Sequence, residues 1–417
     1  MVAVLAGHAK RDPRTGSFSP VDVTAITARL TFECASRTAH GEATMRFVSE
    51  GGPLYFDLRQ RIESATLDGA PLDPERLAPR HEGLRAIDVS LDGGEHELTL
   101  TYALGTPACT DAVPLGWTLQ RPGILFDLWM SDLHPGRYLE MWVPAPLCHD
   151  QFALEVDVRV EGAGPHRIFA NGEVNGSVVR YPAHFTSLSP MLVVVPEERY
   201  DLVSTVEDGI TVETFKLAGP EIDLASCHVT VTECLAHNRA RFGPYCHGDR
   251  FLTYVWGSTR GMEYDGATTA SVGSLEHEVF HSWFGRGVKP ADATDGWIDE
   301  AFTTWYTAGP PRRSRWAESF DWNEPLVRLR SPSPFDRTTP REAYTAGARL
   351  FAGVAHVLGV DGLCDAMGAL YRGRAGGFLS TDELESHLVA AASDGGADIT
   401  RAFGRWVHGR ERDEASS

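Results

Sequence analysis

Two histidines four residues apart constrain this chain more than any other feature. In His277-Glu278-Val279-Phe280-His281 the imidazoles share a face only if the segment is helical, where positions i and i+4 lie about 40° apart in azimuth. Such a pair chelates one ion, and Glu278 lies on the flank of the same face, placed for a water rather than for the ion itself. A hydrolytic zinc site needs a third protein ligand and an open position. The segment "DGWIDEAFTTWY" (295–306) offers Glu300, nineteen residues beyond His281. It falls on a second predicted helix whose Trp297, Ile298, Phe302 and Trp305 would bury it against the first. A lone glutamate on a helix is ordinarily solvated; at this spacing and in this aromatic setting it reads as the third ligand.

What surrounds the motif is an ordinary globular composition, 42% hydrophobic and 23% charged over 417 residues, a length that suggests two domains. A formal net charge of -19 excludes the basic footprint that nucleic acid or an anionic membrane would need, and suits a solubility surface. No apolar run approaches the roughly eighteen residues that span a bilayer, and the apolar stretch in "MVAVLAGHAKRDPRTG" is too short for a secretory h-region. Seven cysteines form an odd set without a CxxC pair, which fits a reducing compartment, so the expected location is the cytoplasm. Cys227, His228, Cys234, Cys246 and His247 fall close together, but their spacing matches no common zinc pattern, and buried free thiols are the plainer reading.

From about residue 20 to 200 the chain alternates as short strands, as in "ALEVDVRVEG" (153–162) and "HELTLTYAL" (96–104). Turn signals such as "LDGA", "LDGG" and "ANGE" punctuate it, predicting an all-β saddle or sandwich over 1–215. The rest, 216–417, reads as α+β. A helix spans 222–243, capped by Asp223 and Gly243, and a strand follows at 250–257. Helices are expected around 272–285 and 296–308, then a loop over 309–338. A capping box at Thr339-Pro340-Arg341-Glu342 opens a helix to Gly359, with further helices at 361–373 and 381–407.

With these residues in place, the chain resembles the gluzincin metallopeptidases of the aminopeptidase N type. The carriers are HExxH, a glutamate after eighteen intervening residues in a Trp-x-x-Glu-x-Phe context, "RGMEYDGAT" (260–268) like that family's GxMEN segment, and "AYTAGARLF" (343–351) like its YxKG segment. "YLEMWVPAPLCHDQFALEVDV", "FANGEV" and "DITRAFGRWVHGR" extend the likeness toward both ends. The resemblance implies a β domain followed by a thermolysin-like catalytic domain, one zinc ion on His277, His281 and Glu300, and Glu278 as the base that takes a proton from water. It also implies that Tyr344 donates to the oxyanion, that Glu263 holds the peptide's free α-ammonium, and that Met262 lines the first side-chain pocket. The implied activity is removal of N-terminal residues from peptides, in a short two-domain form.

Departures touch the walls of the cleft. Arg260 and Tyr264 replace the glycine and asparagine of GxMEN, Ala346 the lysine of YxKG, and Asp299 the asparagine before the third ligand. A second amine anchor from the β domain would be Asp132, His134 or Glu140. The six arginines between 310 and 337 suit either a flap that meets a peptide carboxylate or a solvated loop. Two other enzyme readings stand beside the first. One is a glycyl-aminopeptidase-like relative, because "HSWFGRGVKP" resembles that family's HxW…RP run; the other is a specialised hydrolase for one peptide-like metabolite or precursor peptide. A non-enzymatic scaffold fits poorly, since no catalytic group is missing.

Overall fold

The computed structural model describes residues 21–410 apart from 78, 82–83, 106–116, 121, 134–136, 147–149, 220, 258–260, 292, 319, 322–325, 332–338 and 393–394. The chain divides into two compact units, Met1–Asp201 with Lys216–Pro220, and Leu202–Phe215 with Glu221–Ser417.

The first unit holds strands β1 (Val21–Glu33), β2 (Thr38–Asp57), β3 (Arg61–Leu67), β4 (Ala70–Leu72), β5 (Pro79–His81), β6 (Leu84–Ala103), β7 (Trp117–Gln120), β8 (Gly123–Asp127), β9 (Ala153–Glu161), β10 (His166–Ala170), β11 (Glu173–Asn175), β12 (Val178–Tyr181) and β13 (Leu192–Pro196). A nine-stranded sheet runs β11-β12-β9-β1-β2-β6-β3-β4 with β5 on β6, and a four-stranded sheet runs β10-β13-β8-β7. Alternation decides which face is buried: Leu154, Val156 and Val158 of β9 point inward, and β9 lies parallel to β1 with Leu30 opposite Val158. Phe32 on β1 packs on Trp117 and Phe126 of the smaller sheet, with ring centroids 5.5 and 5.0 Å apart. The turn signal "LDGA" makes the β3–β4 turn, where Asp68 and Gly69 both take positive φ. "LDGG" does not turn the chain. Gly93 and Gly94 lie inside β6 opposite Glu50 and Ser49 of the long β2, which leaves no free end to fold back.

The second unit opens with β14 (Tyr200–Glu207) and β15 (Ile210–Leu217), joined through Asp208-Gly209, both at positive φ. With β16 (Arg250–Val255), β17 (Met262–Tyr264) and β18 (Ala267–Ala270) they form a sheet of order β14-β15-β16-β18-β17. Helix α1 (Leu224–Phe242) has the predicted caps, Asp223 accepting from the Ser226 amide at 3.1 Å and Gly243 ending it. Then follow α2 (Leu275–Phe280), α3 (Trp297–Thr307), α4 (Pro310–Glu318), α5 (Ala346–Leu358), α6 (Val360–Arg374), α7 (Thr381–Ala391) and α8 (Gly396–Trp406).

Four further expectations need correction. Helix α2 is shorter than 272–285, because after His281 the amides of Ser282 and Trp283 bond three residues back and Gly285, at φ +108°, turns the chain out. Residues 310–318 are helical rather than loop. Two prolines open that helix where their missing N–H groups cost nothing, and the Arg312 guanidinium stacks 4.8 Å over Trp316 one turn on. The capping box at Thr339–Glu342 does not form: Pro340 caps a 3-10 turn, Arg341–Tyr344, without a side-chain bond, and α5 begins only at Ala346. The stretch 381–407 is two helices, the second starting past Gly395. Among the described residues no single helix is long and apolar enough to cross a membrane.

Candidate metal centre

The two histidines of the motif are presented differently. His277 lies inside α2, with 22% of its side chain exposed, whereas His281 is the C-cap residue and is fully buried. His281 Nδ1–H donates to Asp299, and Phe284 O and Thr303 Oγ1 lie 3.3 Å from the same nitrogen. That fixes the ring and leaves Nε2 to face inward. His277 Nδ1 has only Thr307 Oγ1, at 3.4 Å.

Helix α3 brings Glu300 to both. Its Oε2 lies 3.0 Å from His277 Nε2 and 3.6 Å from His281 Nε2. The ligand atoms of His277, His281 and Glu300 all fall within 4.8 Å of one another, so the three residues predicted from spacing do converge. His281 Nε2 is buried without a hydrogen-bond partner. An orphaned imidazole nitrogen facing a second imidazole and a carboxylate is costly unless a cation is bound there, and two nitrogens with one carboxylate oxygen form a donor set that suits zinc.

The remaining groups arrive through close packing. The Tyr344 hydroxyl donates to Glu300 Oε1, and its ring stacks on His277 at 6.4 Å. Gly347 permits that reach: a Cβ there would lie 2.5 Å from the Ala301 Cβ, so α5 approaches α3 as only glycine allows. Gly261 does the same for Glu278, since a Cβ on it would sit 2.0 Å from a Glu278 carboxylate oxygen. Edge strand β17 carries Glu263 and the buried Met262. A Glu263 oxygen falls within 4.8 Å of ligand atoms on Glu278 and His281. These two clusters are the ones that converge closely enough for an ion among the described residues, and neither includes a cysteine.

Burial and neighbouring charge set the protonation states. Burial, with His281 close by, pushes His277 down to about 3. Burial pushes Glu300 up to about 7, against the pull of His281 and the Tyr344 hydrogen bond. For His281, burial is outweighed by the Asp299, Glu263 and Glu300 carboxylates, which raise it well above the usual histidine range.

Three residues here were not assigned roles from sequence. Asp299, read as a departure in the cleft wall, is the partner of His281. Arg286 donates through Nη2 to Glu263 Oε1 at 2.5 Å, with both residues buried. Lys289 holds Asp265 at 2.6 Å, tying the β17–β18 turn to the segment that follows His281. The signal for Arg286 was a lone cation between two glycines just past the motif. Of the proposed second amine anchors, Asp132 and Glu140 are buried in the first unit and His134 lies outside the described residues, as do Arg260, Cys109 and Cys148.

No family model and no curated protein matches this sequence. Solved structures do match. An M1 zinc metallopeptidase from Deinococcus radiodurans is 19% identical, with a TM-score of 0.63 over 93% of this chain and 94% of that one. A glutamate-to-alanine mutant of it, bound to a Tyr-Ser-Ala substrate, is 20% identical, with a TM-score of 0.61 over 94% and 95%. A two-domain M1 zinc metallopeptidase mutant bound to L-tryptophan is 19% identical, with a TM-score of 0.60 over 94% and 97%. This chain has the fold of two-domain M1 zinc metallopeptidases.

Proposed function

We propose that this protein is a zinc-dependent peptidase of the M1 type that acts as an aminopeptidase, removing N-terminal residues from peptides. The observation that carries the reading is the convergence of His277, His281 and Glu300, with His281 Nε2 buried and without a hydrogen bond. His277, His281 and Glu300 would hold the zinc. Zinc bound there supplies a Lewis acid that makes water nucleophilic near neutral pH. Glu278, held over Gly261, takes the proton of the attacking water and passes it to the leaving amine. The Tyr344 phenol, already among the ligands, swings its donor to the oxyanion that develops on the scissile carbonyl. Glu263 is the candidate for the substrate's α-ammonium and Met262 for one wall of the first pocket. The fold of structures with bound peptide and amino acids supports a peptide substrate. Cysteine usage supports the cytoplasm as the compartment.

The test is cleavage of a mixed peptide library read by mass spectrometry, with zinc content measured on the same sample. Loss of single N-terminal residues is expected from the wild type. Glu278→Gln should keep its zinc and lose about 10²–10⁴-fold in kcat. A zinc-loaded wild type that cuts nothing would sink the reading.

A further inference from the structure

Glu263, the candidate for the α-ammonium, already has a full positive charge beside it. Arg286 Nη2 lies 2.5 Å from its Oε1, and both residues are only 3% exposed. The guanidinium keeps its charge at any working pH. Its position is built into the backbone. The Arg286 amide donates to His281 O at 2.9 Å, and the flanking Gly285 and Gly287 have no room for side chains. A Cβ at Gly285 would meet the Asp299 carboxylate at 2.0 Å, and one at Gly287 would meet Ser282 O at 2.3 Å. The tight path below the second histidine therefore delivers this cation to this carboxylate. Arg286 Nε is buried without a hydrogen-bond partner, and the Glu263, Asp299 and Asp265 carboxylates around the guanidinium offset its desolvation.

A carboxylate paired in this way has little net field left for another cation. An ammonium that approaches Glu263 also approaches the guanidinium, and in one low-dielectric volume attraction and repulsion nearly cancel. We infer that Arg286 is a specificity-determining residue that suppresses selection of free N-termini. The substrate class then widens to peptides whose N-terminal residue is acylated, taken about as well as those ending in an α-ammonium. The inference rests on the peptidase reading of the same site.

Binding tests it apart from turnover. Zinc-loaded Glu278→Gln protein is titrated calorimetrically with two peptides that differ only in N-terminal acetylation. Their Kd values should agree within about threefold, and adding Arg286→Gln should tighten the free-amine peptide alone, by about tenfold. A preference above about tenfold for the free amine with Arg286 in place, not increased by Arg286→Gln, would overturn the inference. Should Arg286→Gln fail to fold, Glu263→Gln decides, because it keeps an acceptor for the guanidinium. The ratio then falls from near one to favour the acetylated peptide if the inference holds, and falls from a high value if Glu263 anchors the amine. Hydrolysis of the same pair by the wild type is scored separately and reports on the peptidase reading.

Discussion

At the scale of single residues, the site is organised around His281. Asp299 orients its ring, and burial raises that carboxylate to about 6 against the pull of the imidazole. Asp299→Asn preserves size but removes the charge that would make His281 a better zinc ligand. Zinc affinity should fall about 10–100-fold, read by competition with a chromogenic chelator, with Glu278→Gln as the control that retains zinc. The convergence of His277, His281 and Glu300 was legible, because helical periodicity and one characteristic spacing set it. Asp299, Arg286 and Gly261 were not. Each acts through a partner supplied by another element, and no local pattern encodes a contact between strand β17, the turn after α2 and helix α3.

Between elements, the site depends on how closely helices approach. Gly347 sets the distance from α5 to α3, and so the reach of Tyr344 to Glu300. Gly347→Ala would place a methyl group 2.5 Å from the Ala301 Cβ. A cost of about 1–3 kcal/mol in stability is expected, seen as a lower Tm, together with a fall in kcat and unchanged zinc content. Unchanged kcat would show that Tyr344 does not need this spacing. Helix α1 was readable from its two caps alone. The short α2 and the broken start of α5 were not, because tertiary constraints end the one at Gly285 and delay the other past Tyr344.

For the molecule as a whole, two carboxylates of the first unit predict how stability follows pH. Burial raises Asp150 to about 7, although the Val23 amide donates to it at 2.8 Å, and burial raises Asp127 to about 7 as well. Folded, these groups hold protons that the unfolded chain releases near 3.8. Stability is therefore greatest, for their part, below about pH 4 and is lost as pH rises through about 7. Asp150→Asn, which stays neutral, should flatten the fall in Tm between pH 4.5 and 7.5; an identical slope in the mutant would exclude this source. The β-then-α+β order was legible from periodicity, while the pairing of distant strands such as β1 with β9 was not, because register across more than a hundred residues leaves no local trace. Residues 216–220 count with the first unit although they follow 202–215 of the second. On the ribosome, then, the second unit's opening strands emerge before the first unit is complete, and a genetic crossover at any single point within 202–220 splits both units.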